Sequence, residues 1–279
     1  MFGLLIVSAA LFSVQFLFNQ KFSQTRGDGI APTLTFLAVC NTVSFFVMLI
    51  LNGFQLQFSW FSFACAIGYC GVCLGYSYFS LKAFGQGDLS AFSVFAMLGG
   101  MLLPAVYGML FAQEAVTWPK IACLGVILLA LLLSSDSKLK KRNLLYYFAV
   151  FFFNGMVGVI AKAHQSAPQA VDSNSFFARY CAISVALSGL WHLLLTGKIP
   201  TVGIKEGLFA GGYALCNGIG NLLCLIALTV LPASAQYPFI TGGCICFSAV
   251  IGWSCGEKIS ARKILAVVIS LGATCLAMI

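Results

Sequence analysis

The chain has 279 residues, of which 61% are hydrophobic and only 8% charged, with a mean hydropathy of +0.99. An ordinary soluble domain carries about 25% charged residues, so water is not the main solvent of this chain. The net charge of +8 is spread over loops and has no basic cluster outside 138–142, which excludes a nucleic-acid surface.

Crossing the ~30 Å hydrocarbon layer takes about 20 mostly apolar residues. Ten such runs follow one another, at 3–20, 31–51, 59–80, 89–111, 118–134, 144–161, 174–195, 206–228, 233–254 and 261–279. They lack two-residue alternation and are about twice the length of a barrel strand, which excludes a β-barrel. The expected fold is therefore an all-α membrane protein with ten transmembrane helices. The first run starts at Met1 with no basic segment and no small-residue cleavage site, so it reads as a spanning helix rather than a signal peptide. Nearly all of the 12 cysteines lie inside apolar runs, where Cys behaves as a small hydrophobe. Cys70 and Cys73 have redox spacing but no basic or His neighbour to activate a thiol, so they read as packing.

Polar residues inside the runs are the candidates for function. In run one, Gln15 and Asn19 are four residues apart and share a helix face. Amides in hydrocarbon need partners, so this face looks into protein or a water-filled cavity, either as helix-to-helix glue or as a solute site. Asn41 in run two reads as glue. Run three has Gly68, Gly71 and Gly75 along one side, with Tyr69 and Tyr76 seven residues apart on one face. Pro104 weakens backbone bonding in run four, a discontinuity that transporters use at binding sites. Run six places Asn154 in an apolar stretch, and Lys162 follows that stretch as Lys21 follows run one. Arg179 in FFARYCAIS lies inside the membrane boundary, where an ionisable group is by default a functional hypothesis. Run eight repeats run three, matching Gly212-Tyr213 to Gly68-Tyr69, and carries Asn217 and Asn221 on one stripe. Run nine opens with Gln236 and Tyr237 beside the helix-breaking Pro238.

The stretch from 79 to 133 occurs twice. Gly99-Gly100 falls on Gly242-Gly243, Glu114 on Glu257, Lys120 on Lys263 and Ile121 on Ile264, and the separation from glycine pair to glutamate is 14 residues in both copies. A polar linker at 135–143 separates a first five-run repeat, 1–134, from a second, 144–279. An odd number of helices per repeat forces the second copy to enter the membrane from the opposite side, which gives two inverted five-helix repeats with a site at their interface. Twelve Lys and Arg fall in loops on one side, against Lys120, Lys162 and Arg179 on the other, so the richer side is expected to face the cytoplasm with both termini outside.

No Asp or Glu lies mid-run, and His164 and His192 sit near run ends, so neither a buried carboxylate relay nor an intramembrane enzyme or metal site is expected. No cofactor is implied. Glu114 and Glu257 read as helix-end anchors paired with Lys120 and Lys263. The interior amides, tyrosines and one arginine suit a neutral, zwitterionic or weakly anionic solute. The expected partners are that small molecule and the lipid bilayer of the cytoplasmic membrane, with a homodimer allowed. A flippase for a lipid-linked substrate is the alternative, distinguished by a greasy groove open to lipid.

The segment YFSLKAFGQGDLSAFSVF at 78–95 and its partner at 222–239 are each followed by a Gly-rich helix, which ends in Glu114 (AQE) or Glu257 (GEKIS). In these features the whole chain resembles the drug/metabolite transporter superfamily, specifically proteins with two EamA-like domains. The resemblance implies a ten-helix transporter fold in which helices one to four of each half surround a central cavity. It also implies substrates among metabolites, amino acids, nucleosides, sugars or drugs. The first helix departs from the small multidrug members, which carry a membrane-embedded Glu there; this chain offers Gln15 and Asn19. Many relatives also place both termini in the cytoplasm, the reverse of the charge count.

Overall fold

The computed structural model describes residues 2–85, 88–111, 141–228, 233–257 and 261–276, plus isolated positions between 118 and 129. At 141, 142, 225, 228, 233–238, 263 and 273–276 it describes the backbone alone. The described residues form helices α1 (Phe2–Arg26), α2 (Ile30–Leu51), α3 (Trp60–Phe84), α4 (Leu89–Phe111), α5 (Lys141–Gln165), α6 (Ser173–Thr196), α7 (Ile204–Leu228), α8 (Ala233–Ser254) and α9 (Ala261–Leu276). The expected span at 118–134 lies largely outside the described residues, as do Glu114 and linker residues 135–140. The last linker residues, 141–143, are the first turn of α5.

Six of these helices, α1 to α6, are long and apolar enough to cross a membrane, and a shorter apolar helical stretch runs over Phe239–Ser254. This is a multi-pass membrane protein. The helices outrun the apolar runs at their polar ends: the 25 residues of α1 span about 37 Å and carry KFSQTR past the hydrocarbon. Exposed Trp60 and Trp253 sit at helix ends, where indoles favour the interface, and exposed Leu and Ile cover the outer faces.

Helix ends meet at two rims. At rim I the α2–α3 connection meets the α5–α6 connection: Ser59 caps α3 by accepting from Ser62 N–H, and its hydroxyl donates to the Gln169 carbonyl at 2.8 Å. At rim II, Arg26 at the end of α1 pairs with Glu206 in the first turn of α7 at 3.0 Å. Also at rim II, Lys82 at the end of α3 pairs with Asp28 ahead of α2 at 3.2 Å. Helices α1 to α4 thus run in alternating directions between the rims, α5 runs parallel to α4, and α5 to α9 alternate again.

Inside, α1 packs against α7 and α8, α2 against α6, and α5 against both α3 and α4. Asn41 of α2 donates to Ser184 of α6 at 2.9 Å, the interhelical glue expected of it. The main apolar core lies around α4. There Phe92 meets Phe84 at 4.0 Å and Phe16 at 5.1 Å, and Phe95 stacks on Tyr147 at 5.3 Å. Small residues set the closest approaches. A Cβ on Gly99 would run into the Phe151 backbone of α5, and one on Gly243 would lie 3.0 Å from Ala9 of α1.

Candidate functional site

The polar side chains of α1 divide into two groups. Ser8 donates to the Gly220 carbonyl at 2.9 Å, Ser13 to the Cys244 carbonyl at 2.9 Å and Ser23 to the Leu81 carbonyl at 2.8 Å, so these hydroxyls bind α1 to its neighbours. Gln15 and Asn19 do not. They are only 6% and 1% exposed, and Gln15 Oε1 and Asn19 Oδ1 have no hydrogen-bond partner among the described residues. Native interiors rarely leave such groups unpaired, because a buried acceptor without a donor costs about 1–3 kcal/mol. Two of them, one turn apart at mid-helix, mark the helix-glue reading as the poorer one for this face.

Tyrosines from three other helices gather nearby. Tyr69 of α3 meets Tyr180 of α6 edge-on at 4.7 Å, and Tyr213 of α7 meets Phe36 of α2 at 5.1 Å. Tyr76 packs against the core around α4, Tyr213 packs with Phe36 against the Phe22 cluster, and Tyr76, Tyr180 and Tyr213 are each partly buried. Tyr180 escaped the sequence reading; its only signal was its place one turn after Phe176, on the face that meets Tyr69.

The other candidates are placed elsewhere. Asn154 donates to the Ala96 carbonyl of α4 at 2.6 Å and serves as packing glue. Asn221 is exposed and folds back on Asn217, donating to its carbonyl at 2.8 Å and to its Oδ1 at 2.9 Å. Arg179 sits at rim I, where its guanidinium donates to the Gln57 carbonyl and lies 5.0 Å from the Phe58 ring. Gln236 and Tyr237 are in the first turns of α8, with side chains outside the described residues. Glu257 anchors a helix end, as expected, but its partners are the N-terminus of α4 and Ser90.

On the opposite face of α3 from Tyr69 and Tyr76, an open, mostly apolar groove of about 430 Å³ is lined by Ile30, Gly71, Leu74, Gly75, Tyr78 and Phe153. Gly71 has nothing within 4 Å of where a Cβ would stand, so the groove floor is bare.

No family model matches the chain and no curated protein matches it. Among solved structures, one described as "Crystal structure of protein" superposes with a TM-score of 0.62 at 16% identity, covering 97% of each chain. The likeness is one of fold over the full length.

Proposed function

We propose that this protein is a transporter of a small metabolite or drug-like solute, neutral, zwitterionic or weakly anionic, across the cytoplasmic membrane. It works by alternating access between two inverted five-helix repeats of the EamA-like kind. Reciprocal packing supports the repeats. Phe12 of α1 rests on Gly220 of α7, and Phe153 of α5 rests on Gly75 of α3. Ser13 of α1 reaches a carbonyl of α8, and Asn154 of α5 reaches a carbonyl of α4. Gly243 admits α1 to α8, and Gly99 admits α5 to α4. In each pair the first helix of one half meets the later helices of the other, and α1 and α5 run in opposite directions, which is the relation an inverted repeat requires.

The observation that carries the reading is the pair of unpartnered buried amides, Gln15 and Asn19, one turn apart on α1. A solute that supplies the missing hydrogen bonds explains groups that packing does not. The test is Gln15→Leu and Asn19→Leu. Replacing an unpaired buried amide by an apolar group leaves stability level or higher. Solute uptake or efflux in proteoliposomes should nevertheless fall about tenfold or more, as loss of a hydrogen bond to the solute predicts. Unchanged flux with both residues replaced removes the site.

The groove between α3 and α5 favours a second reading, movement of a lipid-linked substrate whose chains ride on Gly71 and Leu74. Bulky Gly71→Leu separates the two, since it blocks a flippase and leaves a central solute path open.

A further inference from the structure

The two rims are closed by unequal means. At rim I a set of hydrogen bonds among the described residues joins the segment 52–62, from the N-terminal helices, to the segment 164–179, from the C-terminal ones. Asn52 Nδ2 and the Gln57 N–H both donate to Ser175 Oγ at 3.0 Å, and the Asp172 N–H donates to Gln57 Oε1 at 3.4 Å. Arg179 donates to the Gln57 carbonyl, Ser59 to the Gln169 carbonyl, and Val171 N–H to Ser62 Oγ at 3.2 Å. Ser62 Oγ also shares a hydrogen bond of 2.8 Å with His164 Nε2, while the imidazole stacks on Phe176 at 4.0 Å. His164 is 1% exposed, so the Ser62–His164 bond is the buried part of this seal.

The corresponding place at rim II, where the α1–α2 connection faces the α6–α7 connection, is held by the Arg26–Glu206 ion pair, with side chains 24% and 19% exposed. Glu206 occupies in α7 the position that Ser62 occupies in α3, as the match of Gly212-Tyr213 to Gly68-Tyr69 sets the register. A single part-exposed ion pair contributes little compared with seven hydrogen bonds between two connections, of which the Ser62–His164 bond is buried.

We infer that these are the two gates of the passage: the Gln57–Arg179 and Ser62–His164 network closes the rim I mouth, Arg26–Glu206 closes the rim II mouth, and the resting protein opens at rim II. Arg179, which sits at rim I, is then a positioning residue that holds a gate rather than a solute ligand. The inference rests on the transporter reading for its purpose, but gate opening can be measured without any solute.

Native thiols make the measurement. Cys73 and Cys181 are buried beneath rim I, and Cys255 is exposed at rim II. Vesicles of defined sidedness are treated with a membrane-impermeant maleimide and the modified peptides are counted by mass spectrometry, Cys255 marking the rim II side. In the wild type, Cys73 and Cys181 should react from the rim II side and stay protected from the rim I side. Arg179→Gln combined with Ser62→Ala should raise their labelling from the rim I side roughly tenfold. Joining Ser59→Cys to Gln169→Cys by oxidation should restore protection in that same background, which a misfolded variant does not do. Glu206→Gln should raise labelling from the rim II side only. Wild-type thiols that react faster from the rim I side, or rim I labelling that stays flat when the network is cut, overturn the assignment. Labelling as expected without solute flux counts against the transporter function and not against the gates.

Discussion

Glu257 holds Ser90: its carboxylate accepts the Ser90 hydroxyl at 3.1 Å and the Ser90 N–H at 3.3 Å, and it also takes the Leu89 N–H. The first N–H groups of a helix have no intrahelical partner, and the helix dipole favours an anion there. The loop after α8 thus caps α4, tying the ends of two helices that already pack together.

Glu257→Ala should therefore lower the thermal midpoint in detergent, by the equivalent of about 1 kcal/mol as for other N-cap losses. Glu257→Gln, which keeps an acceptor and loses the charge, should fall between. Lys263→Ala should leave the midpoint unchanged; an equal drop would reinstate the lysine partner that the sequence suggested.

Gly99 tests the close approach of α4 and α5, and Gly68 on α3 is its open control. A methyl group at Gly99 would meet the carbonyl carbon of Phe151 at 2.8 Å, which is backbone and has nowhere to go, whereas Gly68 has nothing within 4 Å. Gly99→Ala should force the helices apart at about 1–3 kcal/mol, the range of overpacked cores, and Gly68→Ala should be neutral. Urea or thermal unfolding of the two variants in the same detergent checks the contrast.

The membrane class and most helix positions were legible because a spanning helix needs a long apolar run and little else. The glycine landmarks were legible too, since a repeated Gly at a fixed offset reports a backbone approach. Partner identity was not. Glu257 was read against Lys263, close by in sequence, whereas a carboxylate at a helix end is drawn to the nearest free N–H groups, here from α4, 167 residues away. Likewise, four-residue spacing put Asn217 and Asn221 on one stripe, but the same spacing lets the two amides satisfy each other. The rim I network escaped the sequence reading because Ser59, Ser62 and His164 look like ordinary loop and helix-end residues until the two connections are brought together.

Tyr213 separates ring from hydroxyl. Its ring packs edge-on against Phe36 in a cluster with Phe22 and Leu81, so Tyr213→Ala opens a cavity and confuses folding with function. Tyr213→Phe keeps the ring and removes only the hydroxyl. It should leave the thermal midpoint within about 0.5 kcal/mol of the wild type and lower solute flux several-fold; the flux assay in proteoliposomes decides.

Sidedness can be read from Cys255 without adding a residue. It lies at the end of α8 beside Glu257, on the same rim as Arg26, Lys82 and Glu206, and it is exposed. By the loop count of the sequence, the loops assigned to that side carry 12 of the 15 Lys and Arg, and positive loops stay in the cytoplasm during insertion. An impermeant maleimide should therefore modify Cys255 in inside-out vesicles and spare it in intact cells, while both termini, on the other side, should be open to protease in intact cells. Labelling of Cys255 from outside would reverse the orientation and bring the termini into the cytoplasm, where many EamA-like proteins keep them. The rim I gate would then face the cytoplasm, and the direction in which the resting protein opens would change with it.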